Sequence, residues 1–302
     1  HTWWNEGNGA YLDRIEFIDY GTDPATIMSA VEAEEVDMTY ESVGDFIDIL
    51  DGLDMIRSEA STAATIITRP NQLAEVDGKK PYADVRVRRA LAMAVDNAVV
   101  LELGYAGRGV IAENHHVSTI HPEYAELPPQ KVDPAGAMAL MKEAGMADFD
   151  HEIISLDDGF EKDTTDAVAA QLRDAGFKVT RKILPGSTFW NDWAKYPFSS
   201  TTWNQRPFGV QVLALAYKTG VPWNETGFAN EEFDSTLVEA SSIADADQRR
   251  VLMKRLEEIM QNEGVIIQPY WRSVYNHSRP GLVNADMHAQ FEIRYQNIGW
   301  DA

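Results

Sequence analysis

Between Tyr11 and Tyr40 the spacing of apolar residues changes period twice. Leu12, Ile15 and Phe17 fall in a β-rich run, Ile27, Ala30 and Val31 recur at helical spacing, and Val36 to Tyr40 returns to an extended pattern. The pattern predicts strand, helix, strand, with Asp23 as helix cap. Pro24 takes the first helical position, where a missing N–H costs nothing. After a polar link, RPNQLAEVDGKKPYAD, Asp84 opens a helix with Val87, Leu91, Ala94 and Val95 on one face. Asp96 caps a second helix reaching Leu103, and residues 107–132, rich in Gly, His and Pro, read as a long ordered loop.

Asp133-Pro134 opens the next helix, with Ala137, Leu140, Met141 and Ala144 inward and Gly145 closing it. HEIISL (151–156), a helix carrying Val168, Leu172 and Ala175 up to Gly176, and FKVTRKIL (177–184) predict a βαβ unit. Its strands run parallel, because the helix between them supplies the crossover. A strongly apolar helix follows WNQRPFG, and two more helices near 231–241 and 246–262 precede Gly264. VIIQPYW then reads as a strand with SVYNHS as its partner. There is no internal repeat and no low-complexity tract.

Composition narrows the function classes. The chain has 302 residues, 48 of them acidic and 26 basic, for a net charge of −22. Such a field repels nucleic acid and anionic lipid. No cysteine is present, which removes disulfides, thiolate metal sites and cysteine nucleophiles together. No apolar run approaches the roughly 18 residues a membrane span needs. The opening HTWWNEGNGAYLDRIEF has neither a basic region nor an apolar segment of the secretory kind.

Catalytic ingredients occur without a catalytic arrangement. His115 and His116, with Glu113 and His121, invite a metal reading, but adjacent histidines point opposite ways on a strand and no HExxH spacing exists. A surface or pocket-rim loop suits them better. The pairs Asp157-Asp158 and Glu34-Glu35 are what chance provides in so acidic a chain. No GxSxG, GxxxxGK[ST] or GxGxxG occurs. The remaining cluster is Trp190, Trp193, Trp203, Asn204, Arg206, Trp223 and Asn224. It reads equally as core and edge packing or as a ligand pocket with aromatic walls and one cation.

Four stretches, taken in order, break that tie. YLDRIEFIDYGTDPATIMSAVEAEEVDM, PYADVRVRRALAMAVDNAVVLELGYAGRG, DPAGAMALMKEAGM and NEEFDSTLVEASSIADADQRRVLMKRLEEIMQNEGVIIQPYW follow one another along nearly the whole chain. Together they resemble the C-terminal part of extracytoplasmic solute-binding proteins of the peptide/nickel class (family 5), which feed ABC importers. HTWWNEGNGAYLDRI is similar to a segment lying well inside that family's chains, which implies an upstream part of the first lobe and a signal peptide before it.

The resemblance implies an α/β fold of the type II (class C) periplasmic-binding-protein kind, with mixed sheets, a nearly complete second lobe and a truncated first lobe. Residues 1–64 would be a first-lobe remnant, 65–271 the second lobe, and 272–302 the return to the first. The implied role is the substrate-binding component of an ABC importer: a periplasmic or otherwise extracytoplasmic monomer without catalysis or cofactor. It would capture a small peptide-like or anionic solute (a peptide, an opine or similar) in an interlobe cleft and deliver it to a permease in the inner membrane. The competing class is a metal-dependent acidic hydrolase using the His115/His116 loop.

In the family a tryptophan and a polar turn after the second βαβ unit line the cleft, and in peptide binders an aspartate there often pairs with the peptide's amino group. Trp203 matches the tryptophan, but the turn reads NQRPFGVQ, with Arg206 where a carboxylate would stand. That departure implies a ligand with an anionic group, since a guanidinium matches carboxylate or phosphate as a bidentate fork. The implied ligand residues are Trp203, Asn204, Arg206 and Phe208, with Trp203 as a flat wall and the Trp223-Asn224 pair structural. The opposing expectation is that Arg206 is tied into internal salt bridges.

Overall fold

The computed structural model describes residues 9–20, 24–157 and 159–301. Contacts divide the chain into a smaller unit, residues 1–62 with 273–302, and a larger one, Ala63–Arg272. The chain passes from the first to the second within strand β1 (Ile56–Pro70) and returns within β6 (Tyr270–Ser278).

The larger unit is built on a mixed sheet. Its other strands are β2 (Gly109–Ile111), β3 (Asp150–Leu156), β4 (Lys178–Leu184) and β5 (Phe198–Trp203), in the order β2-β6-β1-β5-β3-β4. β1 and β5 run antiparallel, with Thr65 opposite Trp203 and Arg69 opposite Ser199. β3 and β4 run parallel, from Asp150 opposite Lys178 to Leu156 opposite Leu184, as a βαβ crossover requires. The crossover helix is α6 (Gly159–Asp174).

Both faces of this sheet are covered, and β1 shows why its sequence does not alternate. Ile66 points into a core with Leu91, Val100, Met141, Val168 and Phe177, while its neighbour Ile67 points into a second core with Leu213, Tyr217, Phe233, Leu256 and Met260. The first core is covered by α3 (Val85–Met93), α4 (Asn97–Tyr105), α5 (Pro134–Glu143) and α6. Asp84, Asp96 and Asp133 cap α3, α4 and α5 through their side chains. α4 and α6 approach so closely at Gly104 that an added Cβ would lie 2.6 Å from the Thr164 Cα. The second core is covered by α8 (Gly209–Ala216), α9 (Glu231–Ser242) and α10 (Ala246–Glu263), with a short α7 (Gly186–Asp192) before β5. The predicted hairpin of VIIQPYW with SVYNHS does not form. Pro269 has no N–H to give a ladder, only Ile267 makes a bridge (to Thr68), and Tyr270–Ser278 is one continuous strand.

In the smaller unit α1 (Pro24–Glu32) and α2 (Phe46–Asp51) surround a modest cluster of Val31, Leu50 and Met55. β7 (Leu282–Val283) and β8 (Gly299–Trp300) form a two-stranded pair. The strands predicted over Leu12–Phe17 and Val36–Tyr40 are not present. The first segment lies largely exposed, and the second contributes a single bridge, Met38 to Ser278. The predicted Asp23 cap and Asp158 of the acidic pair lie outside the described residues.

Candidate functional site

The stretch that carries the predicted ligand residues joins β5 to α8, and three contacts within the larger unit hold it. The Gln205 side-chain oxygen accepts the Ala63 N–H at 2.9 Å. The buried Glu123 carboxylate accepts the Val210 N–H at 3.0 Å, supplying the start of α8 with an acceptor that Phe208, its N-cap, cannot provide. His121 ties down the turn itself. Its Nδ1 accepts the Ser118 N–H at 2.9 Å, so Nε2 carries the hydrogen and donates to the Arg206 carbonyl at 3.0 Å. Burial lowers the His121 pKa, which favours the neutral ring this pairing needs. Gly209 is required here, since an added Cβ would fall 2.7 Å from Val117 Cγ1.

With its backbone fixed, the turn presents Asn204 and Phe208 to solvent, Phe208 being 44% exposed. Arg206 is half-buried. Its Nη1 donates to the carbonyls of Asn204 and Gln205, both at 3.0 Å, and among the described residues no carboxylate lies within ion-pair distance of it. The Phe208 ring carries the Arg249 guanidinium on its face, 5.6 Å from the centroid.

Trp203 differs from the predicted open wall. It is only 5% exposed, because Trp193, Trp223 and His116 pack edge-on against it at 6.4, 5.9 and 5.6 Å between centroids. Within the predicted cluster the exposed tryptophans are Trp190 and Trp223, at 46% and 44%. Asn224 spends its amide on the carbonyls of Tyr217, Lys218 and Phe228, a structural use.

The histidine rings are not surface or rim groups, although their loop lines a cleft through Glu113 and Asn114. His115, His116 and His121 are all buried, at 0%, 1% and 5%. His115 Nε2 donates to the Glu113 carboxylate at 3.1 Å while its Nδ1 accepts the Val117 N–H. His116 Nδ1 bonds the Tyr217 hydroxyl at 2.6 Å, and burial brings its pKa down to about 3. The described residues contain no group of three or more His, Asp or Glu placed to share a metal ion.

A cleft of about 620 Å³ in the larger unit is lined by Asn97, Glu113, Asn114, Tyr124, Gln130 and Gln261 among others, and one of about 240 Å³ lies in the smaller unit beside Tyr40 and Asn276. Neither is lined by Trp203, Asn204, Arg206 or Phe208. Sequence reasoning missed Arg69 and Glu225, which sit beneath the tryptophans as a fully buried ion pair, Nε to Oε2 at 2.8 Å. Neither belongs to a motif, and 156 positions separate them in sequence.

Comparison with known proteins places this geometry. A family model described as bacterial extracellular solute-binding proteins, family 5 (middle), matches residues 1–224. A heme-binding protein A of Haemophilus influenzae is 27% identical over 200 residues, 61% of this chain and 36% of its own. The fold is shared with an oligopeptide-binding protein, AppA, of Bacillus subtilis in complex with a nonapeptide. The TM-score is 0.79 at 15% identity, over 93% of this chain and 59% of that one. It is shared equally with the binding protein AgaA of A. tumefaciens in complex with agropinic acid, TM-score 0.79 at 17% identity, over 93% and 60%. The chain thus spans between about a third and three fifths of the length of these relatives.

Proposed function

The chain belongs to the bacterial extracellular solute-binding proteins, family 5, and from that premise we propose that it is part of the substrate-binding component of an ABC importer. It works outside the cytoplasm as a monomer, takes a small solute between two lobes and hands it to a permease in the inner membrane. Residues 65–271 act as the second lobe in this reading, and 1–64 with 272–302 as parts of the first. The cargo carries an anionic group. The ligand residues are Arg206, which fixes that group, with Asn204 and Phe208 beside it, and Trp203, buried in the tryptophan packing, acts only as their support.

One observation supports the anion reading above the rest. In a chain with 48 acidic residues, Arg206 stands in a turn held by its backbone, and its guanidinium meets only two backbone carbonyls among the described residues. A guanidinium without a carboxylate partner is free to pair with an anionic ligand group. The relatives' cargoes, as named, range from heme to a nonapeptide to agropinic acid, so the class tolerates wide variation in ligand.

The test is to release and identify by mass spectrometry the small molecule that co-purifies with the full-length protein, then titrate it into Arg206 variants. A charge-assisted hydrogen bond contributes about 1.5–3 kcal/mol, roughly ten- to hundredfold in affinity. Arg206→Ala is expected to lose that factor with its melting temperature nearly unchanged. Arg206→Lys should recover only part of it, because it keeps the charge without the fork. Unaltered affinity in both variants removes Arg206 from the site.

A further inference from the structure

The arrangement beneath the tryptophans has a purpose beyond stability. We propose that the buried Arg69–Glu225 pair is a positioning device: it fixes the indole of Trp203 and, through it, the aromatic surface that backs the ligand site. This rests on the site assignment above.

Thr201 and Trp203 are two residues apart on β5 and so share a face of the sheet, and Arg69, opposite Ser199, lies on that same face. All three converge on one carboxylate. The Trp203 indole N–H donates to Glu225 Oε1 at 2.8 Å, and Arg69 Nε donates to Oε2 at 2.8 Å. The Thr201 hydroxyl lies 2.7 and 2.8 Å from the two oxygens. The rest of the guanidinium turns to the backbone of the preceding segment. Nη1 donates to the Tyr196 carbonyl at 2.6 Å and Nη2 to the Trp193 carbonyl. Glu225 in turn is two residues from Trp223, whose carbonyl accepts the Glu225 N–H at 2.9 Å. One ion pair therefore sets the places of Trp193, Trp203 and Trp223, the three rings that pack edge to face at 5.9–6.4 Å.

Stability is a weak reason for such a pair, because removing two charges from water costs as much as their attraction returns, and apolar replacements are often neutral or better. What an apolar pair cannot do is accept an indole N–H in one direction. Without that acceptor the Trp203 ring keeps its packing but loses the bond that selects one orientation, and Trp223, which lies half-exposed against it, loses its backing.

The experiment uses ¹⁹F NMR of the protein labelled with 5-fluorotryptophan, the Trp203 line being assigned by its absence in Trp203→Phe. The double variant Arg69→Met/Glu225→Leu removes both charges together, a replacement that is often neutral for stability. If the double variant does not fold, hydrogen exchange in the unaltered protein serves instead: the Trp203 indole N–H, bonded to Glu225 Oε1, should be far better protected than that of the half-exposed Trp223. The expected result is a cooperative melt with a Trp203 line that splits or broadens, as exchange between two ring orientations on the microsecond-to-millisecond timescale or slower requires. Glu225→Gln, which retains an acceptor for the indole, should keep one narrow line. A folded double variant with the Trp203 line narrow and unshifted, or in its place a Trp203 indole N–H that exchanges as fast as that of Trp223, overturns the proposal. No ligand enters this readout, so its outcome is independent of whether Arg206 binds an anion.

Discussion

Glu225 and Glu257 are both sealed inside the larger unit, at 1% and 0% exposure, yet the fold treats them in opposite ways. Glu225 meets a guanidinium, an indole N–H and a hydroxyl. Glu257, on α10 among Leu256, Ile259 and Met260, finds no side-chain donor, and only the Ala125 backbone N–H approaches its carboxyl. Burial, with Glu113, Glu123 and Glu258 nearby adding repulsion, pushes its pKa up to about 9, so the carboxyl is protonated at neutral pH. The difference shows that burial alone does not decide the state of a carboxyl; the donors around it do. A carboxylate surrounded by donors can orient its neighbours, and one without side-chain donors gives up its charge and becomes packing.

Breaking the first pair should have the largest effect. Arg69→Met leaves Glu225 buried without its cation and should cost about 3–5 kcal/mol in urea denaturation. A loss below 1 kcal/mol, roughly that of an exposed pair, would falsify the assignment of Glu225 as a buried partner. Glu257→Gln should move stability the other way. Because the Glu257 pKa lies above its unfolded value of 4.5, its contribution is fully present below about 4.5 and is lost as pH rises toward 9. The glutamine variant has no such loss. It should match the wild type near pH 4.5 and exceed it at pH 7 by on the order of 1–3 kcal/mol. Equal stabilities at both pH values would show that Glu257 is not held neutral.

The smallest effect at neutral pH is expected at His151, a buried base in the same unit that also lacks a charge partner. It lies among Phe149, Phe177 and Phe198, bonds the Tyr82 hydroxyl at 3.2 Å, and burial lowers its pKa to about 4. With the folded pKa below the ordinary 6.5, its contribution is complete above 6.5 and disappears as pH falls toward 4. His151→Phe should change stability at pH 7 by less than about 1.5 kcal/mol while flattening the decline between pH 6.5 and 4. If melting curves of the variant keep the wild-type slope through that window, another group titrates there.

The helices with a capping side chain were legible because their signals are local, whereas α2 and α7, without a side-chain cap, were not foreseen. Asp84, Asp96, Asp133, Asn230 and Asp245 each cap through the side chain at the position where the sequence pattern starts a helix. The βαβ unit was legible for the same reason, since its crossover sits between its strands. Strands β1 and β5 were not. IRSEASTAATIITRP is buried on both faces over its second half, so it shows no alternation, and its many Ser, Thr and Ala residues look like a linker. The histidine rings were misplaced on the surface because nothing in AENHH (112–116) says that Glu113, Tyr217 and backbone N–H groups wait inside to receive them.

The sequence by itself determined the helix starts, the parallel crossover, the absence of cysteine chemistry, and the order of segments by which the family is legible. These depend on neighbours within a few residues, or on order alone. Tertiary structure decided the rest. Whether Trp203 is a wall or a packed ring, and whether Glu225 is charged scaffold or solvated surface, depended on the β1–β5 register that brings Arg69 to Thr201 and Trp203. A buried charge is settled by the donors that reach it, and those donors come from parts of the chain that only folding makes adjacent.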